Sequence, residues 1–346
     1  MTVELGAELR TEAPPLARRE VGPRSAGLDL LRAIACALVV SFHLHTVARV
    51  SFGPLDPIVA GGDHGVYIFF ALSGYLLYRP FLGGRVDLRS YAIKRAARIL
   101  PGYYIALVGL TAITGSAVAV SHPLPYLAIA ASYSIPLRGF LGSAWTLAAE
   151  VLFYLTLPLM ARVARGRELR ALGLLGAVSI ALAVVLRGTL SASTEWLIGA
   201  FPFVVYAFVP GMVLAVLEHE YPEVVRRFAS PIAPVAGVVL IAAGCATSWL
   251  PVAIGAGLGT PLVMGWLLQH PVPSARLLAF LGGASYAMYL WHKDLLLAFG
   301  VVGLPLALVA SAASWALAER PILGFAHRLA KSRVVARGTV AEAPAA

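Results

Sequence analysis

Long apolar stretches separated by short charged ones constrain this chain more than any other feature of its sequence. A helix needs about 17 to 25 apolar residues to cross the roughly 30 Å hydrocarbon core of a bilayer, and several stretches of the sequence approach or reach that length. They lie near residues 28–50, 64–79, 99–119, 143–160, 171–188, 196–217, 231–249, 252–269, 277–299 and 301–318. Because 59% of the residues are apolar and only 13% are charged, a soluble globular fold is excluded. The sequence therefore predicts an all-α, polytopic membrane bundle of about ten transmembrane helices.

Membrane orientation accounts for the net charge of +10. Lysine and arginine are concentrated in loops on the cytoplasmic side of a membrane, and ten spans with a cytoplasmic N-terminus put most of the 27 cations there. The exceptions on or near the outer side are Arg49, Arg138, Arg187 and Lys293. We therefore predict that both termini are cytoplasmic, that the protein is multi-pass in the cytoplasmic membrane, and that nucleic acid is not a partner.

The chain divides into one membrane domain and two tails. Residues 1–26 mix proline with alternating charges and predict a disordered, basic cytoplasmic tail. Residues 27–320 form the predicted transmembrane domain, and residues 321–346 form a second basic cytoplasmic tail. We expect no signal peptide, because a long polar stretch precedes the first apolar one. Cys36 and Cys245 lie inside apolar stretches and predict neither a disulfide framework nor a metal cluster.

Ionisable residues inside predicted spans are candidate functional groups, because each costs roughly 2.5 to 3.5 kcal/mol at mid-bilayer on insertion scales. The first span contains Arg32 and His43, whose eleven-residue separation comes within about 20° of three full helical turns. Both side chains therefore share a face, about 16 Å apart along the axis, and can line one groove at two depths. Asp29 precedes Arg32 by three residues and can pair with it. His45 points to nearly the opposite face and is interpreted as a structural or outer-surface residue.

Two further ionisable residues are predicted to lie at the depth of His43. Glu150 in the fourth span and His292 in the ninth lie about 10 Å below the outer surface, as His43 does. A histidine beside a carboxylate in a site of low dielectric constant is a good general base. The alternative for Glu150 and His292 is a structural role in hydrogen bonds between helices.

The loop before the third span carries a dense cationic group. Arg95 and Arg98 are three residues apart and share a helical face, so the pair can hold phosphates through bidentate contacts. The alternative interpretation of this loop is a topology signal or a contact with anionic lipid headgroups.

These residues together resemble the integral membrane acyltransferase-3 family, which includes bacterial surface-glycan O-acetyltransferases and actinomycete macrolide O-acyltransferases. The resemblance extends from Gly27 to Pro321. Its ordered motifs are Gly27-Leu28-Asp29-Leu30-Leu31-Arg32 with His43, Gly65-Val66-Tyr67-Ile68-Phe69-Phe70-Ala71-Leu72-Ser73-Gly74-Tyr75, Arg95-x-x-Arg98, Trp145-x-Leu147-x-x-Glu150 and Ser285-Tyr286-x-x-Tyr289-Leu290-x-His292. Membership implies transfer of an acyl group, commonly acetyl, from cytoplasmic acyl-CoA to a hydroxyl. It also implies that His43 and Arg32 are essential and that Arg95 and Arg98 handle the donor.

Two departures from the family pattern bear on substrate. Many members carry an acidic residue where this chain has Tyr67, and many surface-glycan members carry a fused extracytoplasmic domain. The length of this chain favours small hydroxylated acceptors, such as a macrolide, a glycosylated polyketide or a lipid-linked sugar. We expect no bound cofactor and no metal, with acetyl-CoA as the co-substrate.

The expected mechanism places the phosphates of acyl-CoA at Arg95 and Arg98 and its pantetheine arm beside Arg32. His43, oriented by Glu150, then removes the proton of the acceptor hydroxyl, and a transient acyl-histidine is the less favoured variant. Candidates for oxyanion or acceptor contacts are Tyr286, Tyr289, His292 and Trp145. A multi-span transporter or flippase is the alternative function, because it would also need ionisable residues in its spans.

Overall fold

The computed structural model describes residues 26–84, 86–134, 136–137, 139–189, 200–246, 249–270, 272–273 and 276–341. Helices make up 86% of the structure, and this part of the chain contains no β-strand. The all-α prediction is thus confirmed. The predicted N-terminal tail lies outside the described residues except for Ala26, where the first helix begins.

Fifteen α-helices follow one another along the described chain. They are α1 (Ala26–Thr46), α2 (Asp56–Val59), α3 (Gly65–Leu82), α4 (Leu88–Thr114), α5 (Val118–Ser121), α6 (Pro123–Leu127), α7 (Trp145–Ala164), α8 (Glu168–Thr189), α9 (Val209–Glu220), α10 (Pro222–Arg226), α11 (Ile232–Cys245), α12 (Trp249–Gln269), α13 (Arg276–Phe299), α14 (Gly303–Ser314) and α15 (Arg320–Ala341). A π-helical turn, Trp315–Glu319, joins α14 to α15.

Several helices have the length and apolar composition needed to cross a membrane. Six continuous helical segments of the described chain meet both conditions, and a seventh does so if Pro222–Ala229 and Ile232–Cys245, which meet at 84°, form one bent span. The chain is therefore a multi-pass membrane protein. Helix α9 has 12 residues and is about 18 Å long, shorter than a full crossing. The count of ten and the cytoplasmic position of both termini stay predictions.

Close helix contacts at glycines bring the first and last parts of the chain together. Helix α1 packs against α13 and α3, and α3 packs against α9. A Cβ on Gly282 of α13 would lie 2.6 Å from the Cβ of Asp29 on α1. A Cβ on Gly74 of α3 would overlap the carbonyl oxygen of Phe208, just before α9. Small residues at such crossings let helix backbones approach closely, which is how membrane helices commonly associate.

The last helix extends the structure beyond the predicted end of the membrane domain. Helix α15 begins at Arg320 and packs against α4. Residues 321–341 were assigned to a tail by the sequence, and in the structure they continue the helix. The first turns of α15 thereby come close to the cationic start of α4.

Candidate active site

A cavity of about 400 Å³ lies among α1, α3, α4, α7, α13 and α15. Its apolar wall includes Phe69 and Phe70 of α3 and Leu323 of α15. The polar side chains in its wall are Arg32, Ser73, Lys94, Arg95, Arg98, Thr146, Glu150, Tyr154, Ser285, Tyr286, Tyr289 and His327. Six of the nine residues that the sequence singled out therefore line one cavity: Arg32, Arg95, Arg98, Glu150, Tyr286 and Tyr289.

Arg32 is held at the cavity wall by the residue that the sequence named as its partner. Its Nη1 donates a hydrogen bond to Asp29 Oδ1 at 2.8 Å within the same helix. The Asp29 side chain is almost fully buried, whereas Arg32 keeps some exposure. A carboxylate this deeply buried is stable only when it is paired, so the ion pair fixes Arg32 in position. The predicted pairing is confirmed.

Arg95 and Arg98 stand over aromatic rings in the cavity wall. The Arg95 guanidinium lies 5.8 Å from the ring centre of Tyr154. The Arg98 guanidinium lies 5.4 Å from the ring of Tyr286 and 5.9 Å from that of Trp315. Arginine stacks on aromatic faces in this way while its donors stay available for planar anions. Within the described residues, the buried Nε of Arg95 has no hydrogen-bond partner, which suits an anion entering the cavity.

Glu150 is held by two hydroxyl groups. Its Oε1 accepts hydrogen bonds from Ser73 Oγ at 2.7 Å and from Tyr154 OH at 2.5 Å. Sequence reasoning expected Glu150 to orient His43, but in the part of the chain that the structure describes these two residues share no hydrogen bond. The structure instead places Glu150 in the cavity wall, on the same hydroxyl network as the ring beneath Arg95.

His43 lies within hydrogen-bond distance of a second histidine, His292. Its Nδ1 lies 3.0 Å from the backbone oxygen of Val39 and 3.1 Å from Nε2 of His292. Nδ1 of His292 lies 2.9 Å from the backbone oxygen of Met288. Carbonyl oxygens accept only, so both histidines carry their proton on Nδ1, and His43 donates to the Nε2 lone pair of His292. This tautomer leaves Nε2 of His43 unprotonated, as a general base requires.

Tyr289 connects the cavity to the histidine pair. It lines the cavity, and its ring centre lies 5.9 Å from that of His292 and 6.1 Å from that of Phe69. Its hydroxyl donates to the backbone oxygen of Ser143 at 3.0 Å and accepts from Thr146 at 2.9 Å. The histidine pair is therefore one aromatic ring away from the cavity.

The remaining predicted residues lie outside the cavity wall. Trp145 packs edge-on against Phe70, with ring centres 6.3 Å apart, so it supports the wall from behind. His45 bonds to the backbone oxygen of Val50 at 3.0 Å and lies 3.5 Å from Asp56. The pKa of the Asp56 carboxyl is lowered because the Phe52 N–H and a serine hydroxyl donate to it. These contacts hold His45 in the segment that follows α1, away from the cavity.

Tyr67, at the position where many family members carry an acidic residue, is hydrogen-bonded to a second tyrosine. The Tyr67 hydroxyl accepts a hydrogen bond from the Tyr206 hydroxyl at 3.0 Å. The Tyr67 ring stacks on the His64 ring, with ring centres 5.7 Å apart. A carboxylate is nevertheless near: Asp63, one turn before Tyr67, lies within electrostatic range of His43.

Sequence reasoning did not name six polar residues of the cavity wall as site residues: Ser73, Lys94, Thr146, Tyr154, Ser285 and His327. Ser73, Thr146 and Ser285 lie within the family motifs, and Tyr154 lies one turn after Glu150. Lys94 is one of the 27 cations that the sequence assigned to membrane orientation, and His327 falls in the predicted C-terminal tail of residues 321–346. For Tyr154, the i, i+4 spacing from a buried glutamate was an available signal. No sequence signal pointed to His327, because its place in the cavity wall depends on how α15 packs.

The comparisons with known proteins agree with the motifs. A family model described as an acyltransferase domain (acyltransferase-3) matches residues 25–323, so the chain belongs to this family, as the sequence predicted.

Curated relatives connect the family to O-acetylation. The chain is 27% identical to the putative peptidoglycan O-acetyltransferase YrhL of Bacillus subtilis, over 77% of this chain and 48% of that protein. It is 24% identical to the peptidoglycan O-acetyltransferase OatA of Listeria monocytogenes, over 78% of this chain and 49% of that protein. The chain thus spans about half the length of these two relatives. Nodulation protein 10 of Rhizobium leguminosarum is 27% identical, over 90% of this chain and 96% of that protein. No solved structure matches the chain.

Proposed function

We propose that this protein transfers an acetyl group from acetyl-CoA to a hydroxyl of a carbohydrate, a lipid-linked glycan or a macrolide-type acceptor. The observation that carries the proposal is that a cationic cavity lies next to a histidine pair. A cavity walled by Arg32, Arg95 and Arg98 suits an anionic donor, and a histidine with a free Nε2 lies one ring beyond it.

The cationic part of the cavity would bind the phosphates of the donor. Arginine binds phosphate oxygens through paired N–H donors, and the rings under Arg95 and Arg98 hold both guanidinium groups in place. The apolar wall at Phe69 and Phe70 then suits the pantetheine arm. Acetyl is the acyl group we propose, since two of the three relatives carry the name of an O-acetyltransferase, one of them as putative.

In the proposed reaction His43 acts as the general base. Its Nε2 takes the proton from the acceptor hydroxyl, and the oxygen attacks the thioester carbonyl. The C–S bond then breaks, and the leaving thiolate recovers the proton from His43. Donation from Nδ1 to Val39 and His292 keeps the ring in the required tautomer and stabilises the imidazolium that forms. Tyr289 lies between the cavity and the histidine pair and is the candidate to stabilise the oxyanion, for which its hydroxyl turns from the backbone oxygen of Ser143 to the oxyanion.

The acceptor is proposed at the level of chemical class. The relatives named as peptidoglycan O-acetyltransferases favour a sugar hydroxyl, and the family resemblance also allows a macrolide. A transporter or flippase for a similar substrate is the competing function, because the same buried ionisable residues would serve it.

The decisive experiment uses the purified protein with acetyl-CoA labelled in the acetyl group. A muropeptide and a macrolide serve as acceptor probes, and label in the probe or in released acetate is measured. A flippase would produce neither, whereas the proposed enzyme produces at least one, and the His43→Ala variant produces neither above background. A His43→Ala protein that is folded and fully active would contradict the catalytic role of His43.

The donor site is tested by the Arg95→Ala and Arg98→Ala variants, singly and together. Hydrogen bonds to charged groups contribute about 1.5 to 3 kcal/mol, so each loss should raise the KM for acetyl-CoA by roughly 10- to 100-fold. Arg89→Ala is the matched control, because Arg89 is exposed in the same helix and does not line the cavity. An unchanged KM in the double variant would remove the donor assignment.

A further inference from the structure

A buried carboxylate that no motif predicted lies behind Arg98. Glu319 is only 1% exposed and ends the π-helical turn between α14 and α15. Its Oε1 accepts a hydrogen bond from Ser314 Oγ at 2.8 Å. Its Oε2 is also buried and has no hydrogen-bond partner among the described residues. A carboxylate in this state is costly to keep, so it points to a charged neighbour.

The charged neighbour of Glu319 is Arg98. The Arg98 guanidinium lies within electrostatic range of the carboxylate. The same guanidinium is covered by the rings of Tyr286 and Trp315, and Trp315 begins the π-helical turn that Glu319 ends. One short turn therefore supplies both an aromatic face and a negative charge to one arginine.

A glycine makes room for this arrangement. Gly102 lies one helical turn after Arg98, and a Cβ there would lie 2.7 Å from the Tyr286 ring and 2.9 Å from the Glu319 carboxyl carbon. Any larger residue at position 102 would push the Tyr286 ring and the Glu319 carboxylate away from α4. The π-helical turn contributes too, because one extra residue per turn re-aims the side chains that follow it, and such turns are frequent at functional sites.

We propose that Glu319 is a positioning residue, which holds the Arg98 guanidinium on the rings of Tyr286 and Trp315 so that its donors face the phosphates of the acyl donor. This inference rests on the proposed function, because it takes Arg98 as a donor contact. Glu319 itself lies behind the cavity wall and does not line it. Its effect should therefore appear only for donors that carry the phosphates.

The test compares two thioesters in the full-length protein: acetyl-CoA, and S-acetylpantetheine, which has the same reacting group and no phosphates. The Glu319→Gln variant should raise the KM for acetyl-CoA about tenfold, with kcat and the KM for S-acetylpantetheine within about twofold of wild type. Glu218→Gln is the matched control, since Glu218 pairs with Arg79 at 3.1 Å outside the cavity. This control should leave both KM values unchanged.

A double variant shows whether Glu319 acts through Arg98. Combining Glu319→Gln with Arg98→Ala should raise the KM for acetyl-CoA no further than Arg98→Ala alone, because interacting residues are not additive. If Glu319→Gln is poorly folded, Ser314→Ala replaces it. That variant frees the carboxylate to move and should raise the same KM about threefold, again without affecting S-acetylpantetheine.

Three results would overturn the inference. Equal KM changes for both thioesters would make Glu319 merely structural, and so would fully additive effects in the double variant. An unchanged KM for acetyl-CoA in both Glu319→Gln and Ser314→Ala would remove the positioning role while leaving Arg98 in place. An unchanged KM in Arg98→Ala would instead remove the donor site itself, so the two failures are distinguishable.

Discussion

Replacing His292 with leucine should slow acyl transfer by roughly 2- to 10-fold without abolishing it. Nδ1 of His43 has two acceptors, the backbone oxygen of Val39 at 3.0 Å and Nε2 of His292 at 3.1 Å. Leucine removes the second acceptor and leaves the first, so the tautomer is still held, but less firmly. Leucine is also apolar and of similar size, which suits a site that is fully buried.

The magnitude follows from the single hydrogen bond lost. A typical hydrogen bond contributes about 0.5 to 1.5 kcal/mol net, and 1.36 kcal/mol corresponds to about tenfold in rate. Removing the base itself in His43→Ala should cost far more, roughly 10²- to 10⁴-fold. The two variants should therefore differ by at least tenfold in kcat.

The assay measures the free thiol of released CoA, with thermal unfolding in detergent as the check on folding. His292→Gln is the matched control, because an amide oxygen can take the place of the Nε2 lone pair and should restore much of the rate. The reasoning fails if His292→Leu retains the full wild-type rate. It also fails if this variant loses as much activity as His43→Ala, since His292 would then act in the chemistry directly.

Two further predictions concern packing and donor size. Gly74→Ala should destabilise the protein by about 3 kcal/mol or more, because the added Cβ would overlap the Phe208 carbonyl oxygen. Gly173→Ala has no atom within 4 Å of the added Cβ and should be neutral or stabilising by up to about 1 kcal/mol; thermal unfolding compares the two, and equal effects would contradict the packing argument. The ring centre of Phe69 lies 6.1 Å from that of Tyr289, the proposed oxyanion contact, so Phe69→Ala widens the cavity beside the acyl group. This variant should raise the kcat/KM ratio of butyryl-CoA to acetyl-CoA about tenfold, since each buried CH₂ contributes about 0.8 kcal/mol. An unchanged ratio would mean that the acyl group lies elsewhere.

Much of the local structure could be predicted from sequence because it depends on neighbours along one helix. Apolar stretches of bilayer length predicted the membrane helices, and the i, i+3 spacing of Asp29 and Arg32 predicted their ion pair. The same spacing placed Arg95 and Arg98 on one face, and both line the cavity. The ordered motifs were also sufficient to identify the acyltransferase family.

Contacts between helices could not be predicted in the same way. The partner of Glu150 was expected to be His43, yet its hydrogen bonds come from Tyr154 and from Ser73, 77 residues away in the sequence. His43 meets His292, which lies 249 residues further along the chain. Helical periodicity gives the depth and the face of a side chain, but it does not give the rotation of one helix relative to another.

The sequence by itself therefore determined that this is an all-helical membrane protein of the acyltransferase-3 family, and it named six of the residues that line the cavity. Only the tertiary structure decided which of these residues touch. Close contact at glycines such as Gly282 sets how α1 rests on α13, and this packing brings the two histidines together. The π-helical turn that aims Glu319 at Arg98 is likewise a product of packing, because one extra residue per turn leaves no periodic signal in the sequence.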